Sequence, residues 1–142
     1  MSADAAGTTG ETTLASAVFY IALALLLTHE LDAMTHHEWR LLPGLASLSD
    51  DTGRLVFVLG HVPLFAIVVG FVASLNPRIR RRARLAVAVF VAVHAGLHQA
   101  FTGHPDYGFV AASSQLLIFG AGALGLVYLL LPVVLGRLAG RG

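Results

Sequence analysis

The sequence predicts an all-α fold, an integral membrane four-helix bundle with its N- and C-termini cytoplasmic, and three observations carry that prediction. Of the 142 residues, 56% are hydrophobic and 12% charged, and the mean hydropathy of +0.78 lies outside the range of soluble domains. Four apolar stretches, at residues 14–35, 55–75, 85–101 and 109–135, each approach the ~20 residues that a helix needs to cross a bilayer. The basic residues are segregated: Arg78, Arg80, Arg81, Arg82 and Arg84 fall between the second and third stretches, and Arg137 and Arg141 follow the fourth. Arg-rich short segments stay on the cytoplasmic side, so the loops at 36–54 and 102–108 are expected outside, in a multi-pass protein of the cytoplasmic (inner) cell membrane.

The elements follow in order. Residues 1–13, rich in Ala, Gly, Ser and Thr, carry no apolar pattern and are expected to form a disordered tail ahead of a membrane domain at 14–135 and a short tail at 136–142. No Lys or Arg precedes the first stretch, so it reads as a span and not as a signal peptide. Near its outer end it carries His29, Glu30 and Asp32, followed by His36, His37, Glu38, Trp39 and Arg40. At 100° per residue His29, Asp32, His36 and Arg40 share one face and Glu30 and His37 the neighbouring stripe, with Trp39 placed as an interfacial anchor. Arg40 is positioned to pair with Asp32 or Glu38.

The second span places His61 about 10 Å inside the outer surface, with Pro63 two residues on, where it frees the carbonyl of Leu59 and kinks the helix. The third carries His94 and His98, an i, i+4 pair on one face, with Ala88, Ala92, Gly96 and Ala100 forming a strip of small residues on the opposite side for close packing. That helix is expected to be the most enclosed. The fourth follows His104-Pro105-Asp106-Tyr107 and brings Ser113, Ser114 and Gln115 to the same outer depth, with Ala121 and Gly125 spaced for packing below.

All seven histidines lie between His29 and His104, at one end of the predicted bundle. Ionisable groups at membrane depth are costly and mark functional sites. His29, His61 and His94 come from three helices at matched depth, so His29, His61, His94 and His98 form the expected metal-ligand set, with Glu30 as catalytic base or further ligand. Asp32, His36, Glu38, Arg40, His104 and Gln115 are expected to support it. Imidazole with carboxylate suits zinc, iron, manganese or copper. Bis-histidine haem b is the alternative cofactor, and a hydrogen-bonded polar core in an accessory subunit is the alternative without metal.

Other chemistries are excluded or disfavoured. Cysteine is absent, which removes disulfides, thiolate ligands and thiol catalysis. His29-Glu30 begins like the HExxH motif of zinc proteases, but the second histidine is replaced by Ala33. The net charge of +1 and the membrane setting argue against nucleic acid, and the expected partners are the lipid bilayer and a second copy or membrane protein. The apolar inner halves of the spans argue against a transport path.

Thr28-His29-Glu30-Leu31-Asp32-Ala33, Glu38-Trp39-Arg40-Leu41-Leu42-Pro43, His61-Val62-Pro63-Leu64, His94-Ala95-Gly96-Leu97-His98 and His104-Pro105-Asp106-Tyr107-Gly108-Phe109 together resemble an uncharacterised family of small prokaryotic four-helix membrane proteins. The resemblance implies the fold and the polar pattern without an activity. A looser similarity, to the HXXEE-domain membrane proteins, implies a metal-dependent enzyme; relative to that motif this chain has Asp32 at i+3 from His29 and Ala33 at i+4.

Overall fold

The computed structural model describes residues 13–137 in full and the backbone of the first and last helices out to Ala3 and Ala139. The tail expected at 1–13 therefore lies outside the fully described residues except for Thr13, as does most of the tail at 136–142. Four helices form: α1 (Ala3–Thr35), α2 (Asp50–Val72), α3 (Pro77–Phe101) and α4 (Ala112–Ala139), with a 3-10 turn at Glu38–Arg40 and no strand among the described residues. Each helix contains a segment long and apolar enough to cross a membrane, at mean hydropathies of 1.3 to 2.5. By length and composition the chain is thus a membrane protein. Its outer surface agrees: Ile21, Leu59, Val62, Leu97 and Leu116 are all more than half exposed, a cost in water that lipid removes.

Local chemistry sets the helix starts. Ser49 caps α2 by accepting from the Thr52 N–H at 3.4 Å, with Asp50 and Asp51 in the first turn, where carboxylates complement the helix dipole. Asn76 caps α3 by accepting from the N–H groups of Arg78 and Ile79, and Pro77 occupies the first helical position. The arginines at 78–84 consequently belong to the first two turns of α3 and not to a loop. A good cap followed by proline starts the helix well before the apolar stretch does.

α4 is the hub, packed extensively against both α1 and α3, while α2 rests mainly on α3 and the 3-10 turn. The α3–α4 contact is close because α4 supplies glycines. A Cβ on Gly122 would sit 2.6 Å from Ala95 Cβ, and one on Gly125 would sit 2.7 Å from the Ala88 carbonyl oxygen. The packed face of α3 is therefore Ala88, Val91, Ala95 and His98, not the expected Ala88–Ala92–Gly96–Ala100 strip, and Gly96 faces open space. Nor is α3 the most enclosed helix: 17% of its apolar window is buried, against 33% for α1.

The chain leaving α1 reverses at His37, which adopts the left-handed conformation at φ 56° that few non-glycine residues take. The turn folds Glu38 and Trp39 back over the end of the bundle. Trp39 is buried, not interfacial as expected: it packs on Phe57 and against Gly53, and its Nε1–H donates to Asp50 Oδ1 at 2.9 Å. Arg40 converges on the same oxygen, donating through Nε at 2.8 Å, which replaces its expected pairing with Asp32 or Glu38.

Candidate metal centre

Three segments bring the central groups together. α1 carries His29, the 3-10 turn carries Glu38, and α3 carries His94 and His98 one turn apart. One ligand atom from each of these four residues lies within 4.8 Å of the other three. The imidazoles touch edge to face, with centroids 5.0 Å apart for His29–His94, 4.9 Å for His29–His98 and 4.6 Å for His94–His98. His29 and His98 are almost wholly buried, as is Glu38.

The polar atoms of this group are short of partners. His29 Nδ1 and Nε2, His94 Nε2, His98 Nδ1 and Glu38 Oε2 are all buried without a hydrogen-bond partner among the described residues. The Glu38 carboxylate stands 3.5 Å from His29 Nε2 and 3.7 Å from His98 Nε2, beyond good hydrogen-bond length. The first of these is close to a tetrahedral edge, since ligand bonds of about 2.1 Å put neighbouring ligand atoms roughly 3.4 Å apart, while the second is made by the other carboxylate oxygen. Burial acts to raise the Glu38 carboxyl, but the imidazoles of His29 and His98 outweigh it and hold the group at about 2.

A roof of aromatic side chains closes the site. Phe109, fully buried, packs its ring on His98 at 4.8 Å, His36 at 5.0 Å and His29 at 5.3 Å. Gln115 holds that roof by donating to the Phe109 carbonyl. A cavity of about 60 Å³ abuts Glu38, His94 and His98, space for one or more waters at roughly 10–15 Å³ each.

The remaining sequence candidates are placed elsewhere. His61 does not join the four. Its Nδ1 lies 2.6 Å from the Phe57 carbonyl, which can only accept, so Nδ1 carries hydrogen and Nε2 faces Glu30 Oε2 at 2.8 Å with one proton between them. Glu30 also lines an apolar cleft of about 230 Å³ with Leu26, Phe65, Val68 and Phe90, and the Phe90 ring stacks on His94 at 5.4 Å. His36 stands 3.4 Å from both Asp32 Oδ1 and Ser114 Oγ, a separate polar group on the other side of Phe109. His104 is a loop cap that accepts from the Asp106 N–H at 3.2 Å.

A helical wheel continued through residue 40 leaves Glu38 among the supporting residues. The helix ends at Thr35, and the left-handed turn at His37 makes Glu38 a central group instead. The one available signal was Glu38 beside Trp39, a carboxylate next to a large apolar ring in a short connection. Phe109, the roof, carried no signal beyond its place in a loop motif.

No curated protein and no solved structure matches this chain. A family model does match, over residues 15–135, which cover the four apolar segments and every residue of the histidine group. The chain belongs to that family, described as a family of unknown function, DUF6713.

Proposed function

We propose that this protein binds one divalent transition metal ion through His29, Glu38, His94 and His98, near one face of the membrane, and uses it in a membrane enzyme. The observation that carries the proposal is the convergence of buried, unsatisfied polar atoms from three chain segments on one point. An orphaned buried polar group costs about 1–3 kcal/mol, and a single cation relieves several at once. Three imidazoles and a carboxylate suit zinc, iron, manganese or copper. Such a metal polarises a substrate or lowers the pKa of a bound water, and the cavity beside Glu38, His94 and His98 gives small molecules room to reach it. In the enzyme reading Glu30 is the base, held by His61 at the edge of the apolar cleft.

The contacts favour this reading over the two alternatives. A porphyrin needs a slot between its axial imidazoles, whereas His29, His94 and His98 pack directly on one another. A purely hydrogen-bonded core would satisfy its own donors and acceptors. The segregation of arginines supports placing the histidine end outside and the arginine end in the cytoplasm, in the cytoplasmic membrane.

The test is elemental analysis and an absorbance spectrum of the detergent-purified chain beside a His94→Ala, His98→Ala variant. Near-stoichiometric metal that the variant lacks is the expected result. Absence of metal after reconstitution with zinc, iron, manganese and copper in turn would overturn the proposal, and a Soret band would transfer the histidines to haem.

A further inference from the structure

At the end of the bundle opposite the histidines, the first turns of α3 and the neighbouring parts of α1, α2 and α4 border an open cavity of about 720 Å³. Its polar lining is Ser16, Tyr20, Arg80, Arg81, Arg84 and Tyr128, with Ala15, Val72 and Ala73 completing the wall. Arg84 is fixed there by neutral groups. Its Nη1 donates to Ser16 Oγ at 3.2 Å and its Nη2 to Tyr20 Oη at 2.9 Å. The guanidinium carbon also lies 5.3 Å from the Phe19 ring centroid and 5.0 Å from that of Tyr20. Arg84 Nε is buried without a partner among the described residues. Arg80 is likewise tied to a neutral group, donating through Nη1 to the Ser74 carbonyl at 3.0 Å.

Among the described residues every ion pair lies at the histidine end or in its loops, and none of them reaches Arg80, Arg81 or Arg84. A guanidinium keeps its proton and only donates, so the three arginines of the cavity wall suit an anionic ligand. Arg84 lies about 10 Å along α3 from Pro77, directly before the apolar run that begins at Leu85. Three cations, three hydroxyls and an apolar wall there suit a phosphate diester with a hydrocarbon chain attached.

We propose that this cavity binds the phosphate group of an anionic phospholipid, with Arg84, Arg80 and Arg81 on its charged oxygens. Ser16, Tyr20 and Tyr128 supply hydroxyl hydrogen bonds, and Ala15, Val72 and Ala73 flank the first methylenes of the chain. The site is distinct from a diffuse basic surface, because Arg78 and Arg82 carry the same charge on the same helix and do not line the cavity.

The experiment follows thermal unfolding of the full-length chain in neutral detergent as phosphatidylglycerol, phosphatidylcholine or inorganic phosphate is added, for wild type, Arg84→Gln, Arg84→Lys and Arg82→Gln. Phosphatidylglycerol is expected to stabilise wild type and Arg82→Gln alike, with half-saturation moved at least about 10-fold higher by Arg84→Gln and less by Arg84→Lys, which keeps the charge but loses the fork. Should Arg84→Gln fail to fold, an Arg80→Gln, Arg81→Gln variant reads the same loss. Equal weakening by Arg82→Gln and Arg84→Gln would reduce the arginines to surface charge and overturn the site. Inorganic phosphate matching phosphatidylglycerol would assign the cavity to free phosphate and overturn the lipid, as would phosphatidylcholine acting equally well or no lipid stabilising the protein.

Discussion

The two ends of the bundle solve the problem of polar groups beside lipid in opposite ways. At the histidine end, imidazoles and a carboxylate are buried beneath Phe109, the imidazoles in direct mutual contact and the group short of hydrogen bonds. At the other, guanidinium groups line an open cavity, where Arg84 and Arg80 donate to hydroxyls and a carbonyl and Arg84 lies over ring faces. The difference follows from protonation chemistry. Imidazole can be buried neutral and offers a lone pair, so histidines can close around a cation. Guanidinium is always charged and only donates, so it stays at a rim that an anion can reach.

The sharpest break in this contrast is loss of the proposed ligands. His94→Ala with His98→Ala should weaken metal binding by more than about 100-fold, beyond the 10–100-fold typical of residues that merely support a ligand. Elemental analysis after dialysis reads this directly. Next comes the cover: Trp39, 1% exposed, fills the space over α2, and Trp39→Ala should cost about 3–5 kcal/mol in unfolding free energy, measured by denaturation in mixed micelles. His61→Phe separates the pair from the cluster. It leaves Glu30 without its partner at a cost of about 1–3 kcal/mol while metal content stays at the wild-type level. A matching loss of metal would restore His61 to the ligand set.

Salt distinguishes the ends by burial alone. Raising ionic strength from 0.1 to 1 M shortens the Debye length from about 10 to about 3 Å, so phospholipid binding at the open arginine cavity should weaken severalfold while metal occupancy is unchanged. The smallest effect expected is that of Arg82→Gln. The side chain is exposed and outside the cavity, and the melting temperature of the lipid-free protein should stay where it is.

The positions of the four apolar segments and the gathering of chemistry at one end could be read from composition, because helix length and polarity are properties of each segment alone. The pairing of His94 with His98 could be read from the i, i+4 period. Rotation about each helix axis could not. The periodicity of α3 offered the Ala88–Gly96 strip as its packed face, and the glycines of α4 selected Ala88, Val91 and Ala95 instead.

By itself, then, the sequence determined a four-helix membrane protein with His29, His94 and His98 near one end and its arginines near the other, since hydropathy and rise per residue fix where a side chain lies along a helix. Only the tertiary structure decided which carboxylate meets those histidines. Glu30 and Glu38 carry the same side chain and are close in sequence, but one lies inside α1, facing His61, and the other follows a single left-handed residue, His37, that turns it inward. One backbone angle outside the helix redirects a side chain across the bundle, and no periodic pattern encodes it.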